Sequence, residues 1–199
     1  MKILRIQAGG LPLFKEPLDI SFTTSQRFSN DDKDILFHLF SNVYINTTTA
    51  IIGINASGKT SVLNVILLAL GIVNNEPINH IKSKDILGKS QEATFTIYYH
   101  LSDNEICKLQ TIIKYNKDTD RYIIKEEKLW KKPTSNIVTK KYTFVFNETM
   151  LIKERDNTEE FLPDDISIII AQNKKLNEHI SVTAVSYTHL RAHETSQDL

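Results

Sequence analysis

The residues best suited to chemistry lie together in one short stretch, Gly53-Ile54-Asn55-Ala56-Ser57-Gly58-Lys59-Thr60, which has the form G-x-x-x-x-G-K-[ST]. That pattern is suited to holding phosphate. Gly53 and Gly58 allow backbone angles and close approaches that a side chain would block, so the N–H groups of the loop, from Ile54, Asn55 and Ala56 onward, can point at phosphate oxygens. Lys59 is the cation for the β- and γ-phosphates and the residue this stretch would contribute to catalysis, and the Thr60 hydroxyl is the expected Mg²⁺ ligand. Ser57 and Ser61 are lesser candidates for phosphate contact. Guanine selectivity has no support, because Asn116-Lys117-Asp118-Thr119 puts Thr119 where N-K-x-D needs an acid; ATP is the expected nucleotide.

Other reactive residues form no comparable constellation. Asp31 and Asp32, and Asp164 and Asp165, are acidic pairs better explained as solvated or helix-start residues than as metal ligands. Cys107 is the only cysteine, on the Leu109 and Ile113 side of its segment, and reads as a core thiol. His38, His80, His100 and His179 have neither metal nor triad spacing. Residues 125–141 carry Lys125, Lys128, Lys131, Lys132, Lys140 and Lys141 around Trp130. DNA would suit such a segment, but a solvated hairpin explains it more simply.

The loop needs a strand before it and a helix after it, since the helix N-terminus adds a favourable dipole. The β-branched run Asn46 to Gly53 predicts that strand. Lys59 to Gly71 predicts the helix, stopped at Gly71 and apolar on nearly every side, hence buried. Alternation over residues 2–8, resumed from Leu18, predicts an N-terminal hairpin. Asp31 to Phe40 could form a short helix capped by Asn30. Beyond residue 92 the period becomes two. Ala93, Phe95, Ile97, Tyr99 and Leu101 share one face of a half-buried strand; segments 105–115, 121–130 and 140–147 then complete an antiparallel meander inserted after the helix.

The chain of 199 residues has a balanced charge, 24 basic against 24 acidic residues, so composition neither favours nor excludes a nucleic-acid partner. One cysteine excludes an internal disulfide and suits a reducing cytoplasm. No export signal and no run of eighteen apolar residues is seen, and a cytoplasmic protein with no membrane partner is expected.

Asn55 within Gly53 to Thr60 makes the loop similar to the G-x-N-x-x-G-K-[ST] loop of RecF/SMC/OLD-like ATPases of the AAA/ABC superfamily, and the opening Met1 to Phe22 also resembles theirs. The resemblance implies an α/β P-loop NTPase fold of the ABC/SMC-head type: an N-terminal lobe with an antiparallel β-rich insert, incomplete in this chain. It further implies MgATP as cofactor, head-to-head homodimers around nucleotide when intact, and ATP hydrolysis coupled to a conformational change on DNA or in anti-phage defence. Family members also need a hydrophobic strand ending Asp-Glu and a serine- and glycine-containing signature. Neither is present: Ile166 to Ile170 has the apolar run but continues Ala171-Gln172, and Leu101-Ser102-Asp103-Asn104 lacks the glycine. Gln172 fits the family's metal-contacting glutamine only loosely. Two rival readings are a non-hydrolysing, nucleotide-gated interaction module and the nucleotide-binding subunit of a membrane transporter, which the long β-segment after residue 92 argues against.

The last stretch, Val185 to Leu199, changes character and resembles a translated sequencing-library adaptor. The expected organisation is therefore an ATPase N-terminal part over residues 1–183, with residues 184–199 a non-native tail.

Overall fold

The computed structural model describes residues 1–24, 36–55, 57–89, 92–101, 104–137, 139–156 and 162–169. Within them the fold is mixed α/β and mostly antiparallel sheet. The chain forms β1 (Lys2–Gly9), β2 (Leu18–Ser21), β3 (Leu36–Phe40) and β4 (Val43–Asn46), then α1 (Lys59–Val73), then β5 (Ala93–His100), β6 (Glu105–Asn116), β7 (Arg121–Pro133) and β8 (Leu151–Glu154), with short 3₁₀ turns between.

The predicted N-terminal hairpin is present: β1 and β2 pair antiparallel, with Ile6 opposite Ile20. The meander is not a separate insert. β1 also pairs with β5, so hairpin and meander make one six-stranded sheet in the order β2-β1-β5-β6-β7-β8. A bulge where β1 meets β5, between Ile3 and Arg5, divides the apolar residues of β1 between the two faces. Ile6 and Ala8 join the cluster under α1, whereas Leu4 joins a second cluster on the other face.

That second cluster corrects the picture of a half-buried β5. Tyr98 is packed with Phe40, Val43, Ile45, Ile106 and Ile137, and every β5 residue except Thr94 is buried. Alternation revealed the α1 face but not what covers the opposite one. The cover comes partly from the β3–β4 hairpin, so a helix over residues 31–40 is also corrected: Leu36 to Phe40 is strand, while residues 31–35 and the Asn30 cap lie outside the described residues. Leu-Phe-His-Leu-Phe gains more by lying extended, with Phe40 against the sheet, than by propagating one helical turn.

The expected strand at 140–147 is absent among the described residues. Lys140–Tyr142 is a 3₁₀ turn, and β8 takes the place beside β7. Lys132 supplies a reason: its ammonium donates to the carbonyls of Tyr142 and Val145, at 2.6 Å each, engaging acceptors that a ladder would use.

Helix α1 continues through Gly71 to Val73. Gly71 does not stop it; a Cβ there would come within 2.6 Å of Ile81 Cδ1, so the glycine permits close packing instead. The stop falls at Asn75, in left-handed conformation at φ 61°. Asn75 N–H bonds Ile72 O and Glu76 N–H bonds Gly71 O, a Schellman closure in which Asn replaces the usual Gly. As the all-round apolar pattern predicts, Val65, Leu68, Ala69 and Ile72 are fully or almost fully buried against the sheet.

Candidate functional site

The glycine-lysine loop lies on the surface, between β4 and α1. Its predicted supporting strand is not formed: residues 47–54 have no regular secondary structure, and Ile52 and Ile54 are 91% and 83% exposed. Threonine and isoleucine favour a pleated surface only when neighbouring strands are there to pair with. Among the described residues, none pairs with this segment.

The loop itself has the features expected of its residue types. Gly58, at φ 85° and ψ 12°, occupies the left-handed region immediately before α1. A Cβ there would meet only Phe14, at 4.0 Å, so backbone conformation, not crowding, requires glycine. Gly53 is different, since a Cβ would lie 2.5 Å from Ser57 Oγ. The Ser57 N–H closes the turn onto Ile54 O at 3.2 Å.

Helix α1 begins at Lys59, and its first internal bond is Val62 N–H to Gly58 O, at 2.9 Å. The N–H groups of Lys59, Thr60 and Ser61 precede that bond and have no helical carbonyl to serve. No side chain caps this end, and no acidic residue occupies the first turn. The positive end of the helix dipole is thus left for an anion. Lys59 bends back over the loop, its Nζ donating to Gly53 O at 2.8 Å and Ile54 O at 2.7 Å. Thr60 is exposed and Ser61 half-buried, one and two positions into the helix; Asn55 is exposed, and Ala56 lies outside the described residues. The structure therefore gathers Gly53, Ile54, Asn55, Ser57, Gly58, Lys59, Thr60 and Ser61 at one helix end.

The other candidates separate from this site. Asp165 is buried and bound by Asn79 Nδ2 at 2.8 Å and Arg121 Nη2 at 3.2 Å. Asn79 also donates to Tyr122 O and accepts from Tyr122 N–H, so this acid anchors a turn to β7. Asp31, Asp32, Gln172 and His179 lie outside the described residues. Among the described residues no group of three or more His, Cys, Asp or Glu could hold a metal ion. Nor, among the described residues, is any helix long and apolar enough to cross a membrane. Cys107 is fully buried with Leu109 and Ile113, as expected of a core thiol. Residues 166–169 form no strand; Ile168 and Ile169 are buried in a turn.

The lysine-rich segment is mostly engaged. Lys125 pairs with Glu92 at 2.9 Å, Lys128 with Glu154 at 3.1 Å, and Lys131 with Glu105. Trp130 is buried, with the Lys108 ammonium 4.0 Å from its ring centroid. These contacts fit a folded β-hairpin with intramolecular partners.

Sequence reading missed a buried ionic cluster. Glu127, on β7, accepts hydrogen bonds from Thr111 Oγ1, Ser167 Oγ and Ile168 N–H, each at 2.8 Å, and pairs with Arg155 at 3.6 Å. Burial pushes this carboxyl above its ordinary range, opposed by those donors and by Arg155. Arg155 also donates to Ile166 O and Pro163 O. The cluster fastens the 162–169 turn to the sheet. In the sequence its one signal is Glu127 at an inward strand position among lysines, which reads as part of a charged stripe.

Comparison with known proteins finds no matching family model, no matching curated protein and no matching solved structure.

Proposed function

We propose that this chain is the N-terminal part of a P-loop ATPase of RecF/SMC/OLD-like type, binding MgATP at the loop Gly53 to Thr60. One observation carries the reading: left-handed Gly58 delivers the chain into an uncapped, acid-free helix start, with Lys59 at its head and Thr60 beside it. A triphosphate would draw Lys59 Nζ from the loop carbonyls toward its β- and γ-phosphates, at a helix start that carries no side-chain cap and no acidic residue. Thr60 would supply the Mg²⁺ ligand.

Hydrolysis needs a carboxylate to orient water and a second group at the γ-phosphate. Residues 1–183 offer neither in family form, so the parent protein draws them from further sequence and from the facing head of a dimer. Residues 47–54 have no regular secondary structure, and strands supplied beside them by the parent protein would let residues 46–53 pair as one. Coupling to DNA maintenance or anti-phage defence belongs to the parent.

Titration with a fluorescent ATP analogue in Mg²⁺ tests the reading. Saturable binding that is abolished by Lys59→Ala, with no turnover by the chain alone, is the expected result. Equal affinity of wild type and Lys59→Ala would refute the site, and hydrolysis lost in Lys59→Ala would refute the division of labour.

A further inference from the structure

On the sheet face opposite α1, an open cavity of about 630 Å³ separates the β1–β2 hairpin and its continuation from residues 140–144. It contains no residue of the glycine-lysine loop. Its volume suits a small ligand, and its lining is unlike the apolar core beside it. Arg5, Lys140 and Lys141 face one acid, Asp19, and that acid is already held by Arg5 in a two-pronged pair. The remaining charge is positive.

Two side chains point to an anion. Lys141 is exposed and makes no ion pair or hydrogen bond among the described residues. Thr143 is 1% exposed, yet its hydroxyl has no partner among them. A buried hydroxyl is ordinarily satisfied by protein or by something held in place beside it. Ser21 and Thr23, bonded to each other at 2.9 Å, retain further hydrogen-bonding capacity on the opposite wall. Phe144 closes one side, its ring fixed by the Arg5 guanidinium at 5.2 Å and by Tyr98 at 5.0 Å.

We propose that this cavity is a second anion site, taking a small phosphate-bearing molecule. The phosphate lies between Lys141 and Thr143, with Lys140 alongside, and the polar body meets the hydroxyls of Ser21 and Thr23. Phosphate suits the site better than a carboxylate because adjacent lysines and a hydroxyl can each engage a different oxygen of a doubly charged group.

Calorimetric titration of the full chain with inorganic pyrophosphate, in wild type and in Lys59→Ala, separates this site from the glycine-lysine loop. Binding should persist in Lys59→Ala. In that background it should weaken about tenfold or more with Lys141→Glu and with Thr143→Val, and survive in Thr143→Ser. Lys141 is exposed, so its variant keeps the fold, which Trp130 fluorescence verifies. Binding that disappears with Lys59→Ala alone would assign the anion to the loop and overturn the proposal. Unchanged binding by both cavity variants, or no binding by any form, would overturn it equally.

Discussion

Glu127→Met and Arg155→Met, made singly and together, test whether the buried cluster couples the 162–169 turn to the sheet. Both side chains are almost inaccessible, at 0% and 3% exposure for Glu127 and Arg155. Removing the carboxylate leaves the donors of Thr111, Ser167 and Ile168 without their acceptor and takes from the Arg155 guanidinium its pairing with Glu127. Breaking a buried pair from one side costs about 3–5 kcal/mol, and Glu127→Met should fall in that range. Arg155→Met leaves Glu127 its three neutral donors and should cost less, about 2–3 kcal/mol, from the lost pairing and lost bonds to Ile166 O and Pro163 O. The double variant removes both desolvated charges, so its loss should fall at least about 1 kcal/mol short of the sum. Urea unfolding followed by fluorescence reads this directly, because Trp130 is the sole tryptophan and is buried on the same strand as Glu127. The pH dependence supplies a second readout. The folded carboxyl is raised above its ordinary 4.5, so the folded chain keeps a proton that the unfolded chain releases. That contribution is full below the unfolded value and disappears as pH rises through the folded value; Glu127→Met should abolish the slope. A loss below about 1 kcal/mol for Glu127→Met, or additive single effects, would refute the cluster's role.

Gly71→Ala should destabilise by about 1 kcal/mol in the same assay: the helix gains about 1 kcal/mol in propensity, but the new methyl overlaps Ile81 and overpacking costs about 1–3. A rise in stability would count against that contact. Gly58→Ala has open space around it, so only its positive φ is penalised, by about 1–2 kcal/mol; weakened binding of the ATP analogue should accompany the loss, and unchanged affinity would show that the left-handed turn is dispensable. Burial lowers the Lys132 ammonium to about 8, while the Tyr142 and Val145 carbonyls, better acceptors from a charged donor, work against that shift. From about 8 to 10.5 the unfolded chain binds more protons, so stability should rise with pH in that window. Lys132→Met should remove the rise, and its persistence would place its origin elsewhere.

Local pattern was most informative where the chain solves its own geometry. The β1–β2 hairpin, β5, β6 and β7 were legible from alternation, and the span of α1 from its apolar run, because each needs only short-range spacing to be recognised. The turn of the glycine-lysine loop was equally legible: Gly58, Lys59 and Thr60 are consecutive, and a left-handed residue opening a helix is a local event. The stop at Gly71 failed because glycine serves close packing as readily as capping, and only the position of Ile81 distinguishes the two. The strand at 46–53 failed for the converse reason, since β-branched residues record a preference that pairing partners must satisfy.

The sequence by itself determined that a glycine turn opens α1 and which strands alternate. Tertiary structure decided what lies on the second face of the sheet, where Leu4 and Tyr98 meet Phe40 from an element far away in the chain. It also decided the fate of the charges. Glu127 and Lys132 look like neighbours in one solvated stripe, yet one is sealed beneath the 162–169 turn and the other straps residues 142 and 145 to the sheet. Spacing along a chain fixes which side of a strand a residue takes; whether that side meets water depends on segments brought over it from elsewhere, and burial in turn sets the cost of each charge.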